Sequence, residues 1–365
     1  MKKLAIGLMS GTSCDGLSIA YASFNKNSFN LLRYQTISFP KHLPHKIVNA
    51  SKLTLPEISR LNVELGEFYG KSVKKFIKTN KINPKKIQVI GSHGQTIYHG
   101  PNDAPRNTFQ IGEPSMIAEL TGIPVVADFR MRDIAAGGEG APLMPYFDEY
   151  FFGNGHIRAL QNIGGIGNVS LVGSKSKHVA FDTGPGNCLI DWAIQKITKG
   201  SQQFDRNGQI ASRGKIDIEA TEKMLRHPYF KKTPPKSTGR ELFNESFIPY
   251  SLLQSKPENL AATLTYFTAL TIAESYKKFL PKNLKEVIVS GGGALNSTLM
   301  RHLKKLLNPV VVKTLSDYGV HVQAKEPIAF AFFALQAIQG KINHSPAGTG
   351  ARRACILGKL IPGNQ

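Results

Sequence analysis

The stretch LAIGLMSGTSCDGLSIAYASF, residues 4–24, decides how the fold begins. Two apolar runs, 4–9 and 17–24, flank a turn rich in glycine and hydroxyl side chains, which predicts a β-hairpin. Gly11 and Gly16 permit positive φ and close backbone approach, and Asp15 can hold a metal ion or its water. The hairpin could therefore bind nucleotide phosphates, although a plain glycine-rich hairpin has the same composition. The stretch lacks the lysine and the following helix of a Walker A loop, and a Rossmann turn also requires that helix.

The first residues also imitate a secretory or lipoprotein signal, because two lysines precede an apolar run and then a cysteine. The apolar run 4–9 is shorter than the roughly 7–15 residues that such a signal needs. No later stretch reaches about 18 consecutive apolar residues, the length expected of a membrane-spanning helix. We therefore expect a soluble, cytosolic protein with no membrane partner.

Length and composition favour two hydrophobic cores. The chain has 365 residues, more than one core usually organises, and 41% of them are hydrophobic. Its cysteines, Cys14, Cys188 and Cys355, are odd in number and far apart, which argues against a disulfide framework or a cysteine zinc site.

The chain is strongly basic, with 46 Lys and Arg against 25 Asp and Glu and a net charge of +21. Such a charge raises the possibility of nucleic-acid binding. The basic residues occur as scattered pairs, however, and form neither a stripe nor a known nucleic-acid motif. We expect no specific nucleic-acid partner, and instead a basic surface that attracts small anionic substrates.

Hydrophobic periodicity predicts an α/β protein with mixed sheets in two halves. The predicted strands are 4–9, 17–24, 29–38, 87–92, 108–111 and 125–129 in the first half, and 157–162, 168–172, 178–182, 287–290 and 309–313 in the second. The predicted helices are 55–78, 114–120, 188–198, 216–226, 258–279, 297–307 and 325–339. Hairpins come first and helices later in each half, unlike a uniform βαβ winding.

Two further glycine-rich turns follow predicted strands. The segment NIGGIGN, residues 162–168, predicts a second hairpin that would match the first one. The segment VIVSGGGA, residues 287–294, is a buried strand that enters three glycines and then a helix with Asn296 near its start. Backbone amides of these glycines could face an adenosine or its phosphates, whereas a tight packing turn would need the same residues.

Three side chains stand out as candidates for chemistry. Asp182 in AFDTGPGN ends a predicted strand, where α/β sheets usually carry catalytic groups, although an N-cap or Asx-turn carboxylate has the same pattern. His93 follows another strand and suits a structural or substrate hydrogen bond, and its distance from His99 is poor for two metal ligands. Arg130 could clamp a carboxylate or form a structural pair with a nearby aspartate.

Taken together, these motifs resemble one family, the 1,6-anhydro-N-acetylmuramic acid kinases of the sugar kinase/Hsp70/actin superfamily. The matching segments cover nearly the whole chain in order and are GLMSGTSCDG (7–16), GSHGQTIYHGP (91–101), TFQIGEPSMIAELTGIPVVADFRMRDIAAGGEGAPLMP (108–145), NIGGIGNVS (162–170), AFDTGPGN (180–187), VIVSGGGALN (287–296) and PAGTGARR (346–353). Cys14 departs from the methionine or other apolar residue expected there and leaves Asp15 and the glycines in place.

The resemblance implies two actin-like, ribonuclease H-like lobes with mixed sheets around a central cleft. Their expected bounds are 1–127, with 343–365 returning to this lobe, and 128–342. It implies Asp182 as the catalytic base, Asp15 as a possible Mg²⁺ ligand through water, and sugar contacts from His93, Arg130 and Glu326. The residues expected to bind ATP are Gly11, Thr12, Ser13, Cys14, Asp15, Gly16, Leu17, Ser18, Gly164, Gly165, Gly167, Gly291, Gly292 and Gly293.

The activity that the resemblance implies is ATP-dependent and uses Mg²⁺. Water opens the 1,6-anhydro ring of 1,6-anhydro-N-acetylmuramic acid and O6 accepts the γ-phosphoryl group, giving N-acetylmuramic acid 6-phosphate in peptidoglycan recycling. Exposed apolar stretches in the second half, together with the resemblance, favour a homodimer.

Three alternatives stay open at this point. One is a kinase of the same fold with another sugar or acid acceptor. Another is a metal-dependent transferase that uses His93 and His99 as ligands. The third is a nucleotide-switched binding protein, against which Asp182 argues because a pure switch needs no base facing a sugar.

Overall fold

The chain folds into two compact units of α/β structure. The computed structural model describes residues 2–11, 14, 16–173 and 179–364. Unit 1 consists of Met1–Phe151 with Gly319–Gln365, and unit 2 of Phe152–Tyr318. Unit 2 is thus an uninterrupted segment inserted into unit 1.

Strands and helices are numbered along the chain. The strands are β1 (Lys3–Met9), β2 (Gly16–Phe24), β3 (Phe29–Ser38), β4 (Val89–Ser92), β5 (Gln95–Gly100), β6 (Asn107–Ile111), β7 (Val125–Ala127), β8 (Arg158–Ile163), β9 (Ile166–Val172), β10 (Ala180–Pro185), β11 (Glu286–Ser290), β12 (Val311–Thr314) and β13 (Lys359–Ile361). The helices are α1 (His42–Val48), α2 (Leu55–Thr79), α3 (Pro114–Thr121), α4 (Phe129–Ala135), α5 (Met144–Phe152), α6 (Cys188–Ile197), α7 (Ile218–Leu225), α8 (Tyr250–Leu253), α9 (Pro257–Phe279), α10 (Ser297–Leu307), α11 (Lys325–Ile338) and α12 (Pro346–Thr349).

Each unit contains one large mixed sheet. In unit 1 the strand order is β13-β7-β4-β1-β2-β3, with β1, β2 and β3 antiparallel and β1, β4 and β7 parallel. In unit 2 the order is β10-β9-β8-β11-β12, and an antiparallel β8–β9–β10 set is followed by the parallel strands β11 and β12. Strands β5 and β6 form a separate pair. This confirms the predicted α/β class with mixed sheets.

Buried apolar side chains form separate clusters in the two units. One cluster joins β1, β2 and β4 of unit 1 to the apolar face of α2, which includes Leu61, Leu65 and Tyr69. A capping box between Thr54 and Glu57 starts α2 and satisfies free amides of its first turn. Two further clusters lie entirely within unit 2, on either side of α9. The rigid sheets that carry the candidate residues are therefore each supported by their own core.

Helix α11 packs directly on the middle of the unit 1 sheet. Gly7 on β1 and Gly91 on β4 lie beside each other in the parallel register. A Cβ atom on Gly7 would overlap the carbonyl oxygen of Pro327, and one on Gly91 would overlap that of Phe330. Two adjacent glycines thus form a flat seat for α11, and this close approach sets the position of Glu326 in its first turn.

Several boundaries differ from those expected from the sequence. The expected division near residues 127 and 342 places α4, α5 and α11 in the second lobe, whereas these helices belong to unit 1. For α11 the reason is that it packs on β1 and β4. The strand expected at 125–129 ends at Ala127, since Asp128 takes a left-handed φ of 53° and α4 begins at the next residue. The C-terminal segment joins unit 1, where β13 pairs with β7.

Among the helices that the structure describes, none combines the length with the apolar character that a bilayer crossing requires.

Candidate functional site

Asp182 lies on β10, the edge strand of the unit 2 sheet, and a neighbouring segment holds it in place. Its backbone amide donates to the carbonyl of Lys236 at 3.0 Å. Its carboxylate oxygen Oδ2 accepts a hydrogen bond of 2.9 Å from the amide of Thr238, and its carbonyl accepts one of 2.6 Å from the Tyr229 hydroxyl. We call residues 236–238 the strap, because they run along the exposed edge of β10 at Asp182.

The protonation of Asp182 is set by opposing effects. Burial raises the pKa of its carboxyl to about 6, while the Thr238 amide and the charge of Lys236 act in the opposite direction. At neutral pH the carboxylate is therefore mostly ionised and yet more basic than an exposed aspartate. This is the state that a general base requires.

The glycine turn at 164–165 lies directly against the segment that follows Asp182. The amide of Asn187 donates to the Gly164 carbonyl at 2.7 Å, and the amides of Gly186 and Cys188 donate to the Gly165 carbonyl at 2.9 and 3.0 Å. A Cβ atom on Gly186 would overlap the Gly164 carbonyl oxygen. The structure thus brings the predicted hairpin and the Asp182 strand together.

The three-glycine turn packs on the end of the same hairpin. Gly291 has a left-handed φ of 85°, and a Cβ atom there would lie 2.6 Å from both the Asn162 side chain and the Ile163 carbonyl oxygen. A Cβ atom on Gly293 would overlap the Ile163 side chain. Packing alone therefore requires glycine at 291 and 293. All three predicted elements of unit 2 meet at one end of its sheet.

The first hairpin is described only in part. Thr12, Ser13 and Asp15, including the predicted Mg²⁺ ligand, lie outside the described residues. The Cys14 amide donates to the Gly11 carbonyl at 3.2 Å, and Cys14 is buried with a left-handed φ of 53°.

Strand β2 directs two of the predicted ATP contacts into the protein. Leu17 is fully buried in the unit 1 core. The Ser18 hydroxyl bonds to the hydroxyl groups of Tyr34 and Thr36 on β3, at 3.2 and 3.0 Å. Both side chains therefore have packing or hydrogen-bond partners within unit 1.

In unit 1, His93 is buried and bound to Arg130. Arginine only donates, so the contact of 3.0 Å from Arg130 Nε makes His93 Nε2 an acceptor. His93 Nδ1 then carries the proton and donates to the Gly94 carbonyl at 2.8 Å. Burial and the charge of Arg130 lower the pKa of His93 to about 3, so the imidazole is neutral. His93 thus orients Arg130.

A buried carboxylate, Asp133, fixes the other side of Arg130. Arg130 Nη1 donates to the Gly140 carbonyl at 2.7 Å, and the Gly140 amide donates to Asp133 at 2.8 Å. Asp133 also accepts from Thr349 Oγ1 at 2.6 Å and lies 3.0 Å from His344 Nδ1. The loop that carries Gly140 is therefore tied to the C-terminal segment, and Arg130 is held through that loop.

Glu326 completes the group of predicted sugar contacts. Part of its surface is accessible to solvent. Desolvation by neighbouring protein atoms raises the pKa of its carboxyl, and the charges of Lys325 and Arg130 oppose that rise. Glu326 in turn raises the pKa of Arg130 against the effect of burial. The two residues therefore lie within electrostatic range of each other. Lys325 donates to Asp148 at 3.2 Å.

The candidate histidines have protein partners. His99 Nδ1 lies 3.1 Å from Thr108 Oγ1, and His93 is occupied as described above. Within the described ranges, no group of three or more His, Cys, Asp and Glu side chains could hold a metal ion. The geometry therefore gives the transferase alternative no ligand set in that part of the chain.

Sequence reasoning missed the side chains that support these candidates. Lys236 and Thr238 lie in PPKSTG, residues 234–239, a loop pattern that indicates a turn and gives no sign of a contact with Asp182. Tyr229 likewise belongs to a short helical turn with no motif. The sequence predicts only that an aspartate near Arg130 could pair with it, and does not predict the contacts of Asp133 with Gly140 and Thr349.

Comparisons with known proteins cover nearly the whole chain. The family model described as anhydro-N-acetylmuramic acid kinase matches residues 3–363. The chain is 42% identical to the anhydro-N-acetylmuramic acid kinase of Caldanaerobacter subterraneus, over 98% of this chain and 97% of that protein. It is 41% identical to the enzyme of the same name from Shewanella amazonensis, over 99% of both.

Among solved structures, one similar chain is the activator of the 2-hydroxyisocaproyl-CoA dehydratase from Clostridium difficile with bound ADPNP. It is 12% identical, with a TM-score of 0.45, and the match covers 92% of this chain and 96% of that one. The family model and the relatives near 40% identity lead to the conclusion that this chain belongs to the anhydro-N-acetylmuramic acid kinase family.

Proposed function

We propose that the protein is an ATP-dependent kinase that opens the anhydro ring of 1,6-anhydro-N-acetylmuramic acid with water and phosphorylates O6. The product is N-acetylmuramic acid 6-phosphate, an intermediate of peptidoglycan recycling. The single observation that carries the proposal is Asp182, a desolvated carboxylate with a pKa near 6 that the Thr238 amide holds at 2.9 Å. Membership of the family supports the choice of acceptor.

The chemistry assigns one proton transfer to Asp182. A water oxygen bonds to the anomeric carbon as its proton passes to the carboxylate, and the bond from C1 to O6 breaks. The released O6 then bonds to the γ-phosphorus of ATP, and ADP leaves. Holding these groups in line replaces diffusional encounter, for which well-oriented systems reach effective molarities of roughly 10⁵–10⁸ M.

We assign sugar recognition to residues of unit 1. Arg130 is fixed from two sides, by His93 and by the Gly140 carbonyl, so its remaining guanidinium donors have a set direction. A planar guanidinium suits the carboxylate of a muramyl sugar. Glu326 would accept hydrogen bonds from sugar hydroxyl groups, and its electrostatic contact with Arg130 supports that placement.

ATP would be bound by the backbone of the glycine turns. The predicted contacts in the first hairpin, Gly11–Ser18, supply backbone amides and hydroxyl groups, and Gly164, Gly165, Gly167 and Gly291–Gly293 supply amides, which suits phosphate oxygens. Mg²⁺, when bound, would neutralise charge on the phosphates. A carboxylate oxygen has the chemistry that Mg²⁺ prefers, and we assign the ion to Asp15 through water.

The proposal also includes a cytoplasmic location and a homodimer. A cytoplasmic site is where ATP is available, and three cysteines without a pairing pattern fit a reducing compartment. Sedimentation at several protein concentrations would test the dimer.

The decisive experiment is turnover of 1,6-anhydro-N-acetylmuramic acid with Mg-ATP in ¹⁸O-labelled water, with products analysed by mass spectrometry at early times. We expect a sugar 6-phosphate with one ¹⁸O on the anomeric carbon and none in the phosphoryl group. Label in inorganic phosphate instead would indicate simple ATP hydrolysis. Absence of any sugar phosphate would overturn the proposed acceptor and direct the search to other sugars or acids.

A further inference from the structure

Lys236 carries a buried ammonium group in unit 2. Only 8% of the residue is exposed, and its Nζ has no hydrogen-bond partner in the part of the chain that the structure describes. Removing a charge from water without a compensating partner is costly. Something other than a hydrogen bond must therefore stabilise this cation.

Three aromatic rings surround the ammonium. Its Nζ lies 4.7 Å from the ring centroid of Tyr229, 4.9 Å from that of Phe279 and 5.7 Å from that of Phe181. Each distance is within the range of a cation–π interaction, which is stronger where water is excluded. The rings come from three different elements, so the cation also joins the strap to β10 and α9.

The same scaffold holds Asp182. Phe181 precedes it on β10, and the Tyr229 hydroxyl donates to its carbonyl. The Lys236 carbonyl accepts its amide, and Thr238, two residues further along the strap, donates to its carboxylate. The Lys236 ammonium and the Asp182 carboxylate do not hydrogen-bond to each other. Four elements nevertheless fix their relative positions: β10, α9, the strap and the short helical turn that carries Tyr229.

We infer that Lys236 is a positioning residue for the proposed base: its ring-held ammonium keeps the nearby Asp182 carboxylate ionised through space, without occupying it as a hydrogen-bond donor. The inference rests on the proposed function. A direct ion pair would make the carboxylate a weaker base, because a close opposite charge lowers a carboxyl pKa by up to about 3 units. A cation at a greater distance leaves the base ionised and still able to accept a proton.

The charged and titratable groups acting on this pair are few. Burial lowers the pKa of Lys236 to about 8, and the charge of Lys278 on α9 acts in the same direction. The charge of Asp182 acts in the opposite direction. Asp182 and burial raise the pKa of Tyr229, which therefore stays a neutral donor. Turnover should then increase as pH rises through about 6, where Asp182 loses its proton, and stay level as pH rises through about 8, where Lys236 loses its own and Asp182 is already ionised.

The test compares pH profiles of kcat at saturating substrates for three variants. Lys236→Met keeps the apolar stem and removes the charge, so the acid limb should move to higher pH by on the order of one unit. At pH 6 that shift slows turnover about fivefold relative to the wild type. Lys236→Arg keeps the cation, so the acid limb should stay at the wild-type pH.

Lys278→Gln is the matched control, because it removes the same charge from a position that acts on Lys236 and not directly on Asp182. We expect an acid limb at the wild-type pH. Unfolding midpoints of all variants check that each is folded. If Lys236→Met does not fold, Lys236→Gln takes its place, since an acid limb at the wild-type pH in that uncharged variant contradicts the inference.

A second readout does not depend on turnover. Titration of the Asp182 carboxyl carbon by ¹³C NMR, assigned through Asp182→Asn, should give a higher pKa in Lys236→Met than in the wild type. An equal pKa overturns the inference even if the enzyme is active. Failure of the wild type to phosphorylate the sugar, with the NMR shift present, instead overturns the proposed function and leaves the electrostatic link intact.

Discussion

At the scale of single residues, the proposed reaction depends on the carboxylate of Asp182. Asp182→Asn keeps the size of the side chain and its acceptor oxygen for Thr238, and removes the ability to take a proton. We expect kcat for sugar phosphorylation to fall by about 10²–10⁴-fold, with ATP affinity nearly unchanged. Steady-state kinetics and ATP titration calorimetry measure the two effects. Normal turnover would remove Asp182 from the role of base.

The sequence identified Asp182 because a carboxylate after an apolar strand is a local pattern. It could not identify what tunes that carboxylate. Thr238 and Lys236 reach Asp182 from a loop more than fifty residues away, and a buried ammonium over three rings depends on tertiary packing. His93 and Arg130 were likewise found as candidates, whereas their mutual hydrogen bond was not.

Asp133 leads to a second prediction at this scale. Asp133→Asn would place an amide donor against groups that already donate, namely the Gly140 amide and the Thr349 hydroxyl. We expect the free energy of unfolding to fall by about 3 kcal/mol, as measured by urea denaturation. A raised KM for the sugar should accompany it, because the Gly140 carbonyl orients Arg130. Unchanged stability and KM would show that this cluster does not support Arg130.

The pH dependence of stability provides a check on the same residue. The His344 contact and the Thr349 and Gly140 hydrogen bonds lower the pKa of Asp133. Its contribution to stability is therefore complete above the pKa of an unfolded aspartate, about 4, and is lost as pH falls through the lower folded value. Wild type and Asp133→Asn should thus converge in stability at acidic pH.

At the scale of elements, α11 packs closely on its glycine seat in the unit 1 sheet. Gly91→Ala would drive a methyl group into the Phe330 carbonyl, and we expect a loss of about 3 kcal/mol or more. Gly348→Ala is the control, since a Cβ atom there meets nothing closer than 3.7 Å. Thermal unfolding of both variants tests this, and equal stability would contradict the packing described here.

The elements themselves were predictable where the pattern is long. Helices α2 and α9 and the antiparallel strands follow from their periodicity and from the turns that flank them. Strand β13 has three residues and pairs with a strand far away in the chain, so no local signal marks it. The sequence predicts no helix at α4, because only the structure shows that Asp128 adopts a left-handed conformation, which ends the strand expected at 125–129.

At the scale of the whole molecule, unit 2 has its own cores and a continuous chain. Among the residues that the structure describes, those that form its two apolar clusters all lie within Phe152–Tyr318. We therefore predict that the segment 152–318 produced alone unfolds cooperatively in urea, whereas 1–151 without its C-terminal partner does not. Circular dichroism through the denaturation curve distinguishes the two. A non-cooperative segment 152–318 would show that unit 2 needs unit 1 to fold.

The insertion of unit 2 has a consequence for synthesis on the ribosome. Strands β1 and β4 leave the ribosome early, but the helix that covers their glycine seat comes from residues 325–338. At about 5–20 residues per second, the nascent sheet waits on the order of tens of seconds for that helix. During this interval an apolar face of the sheet is exposed to solvent. The growing chain can aggregate through that face until α11 has been translated.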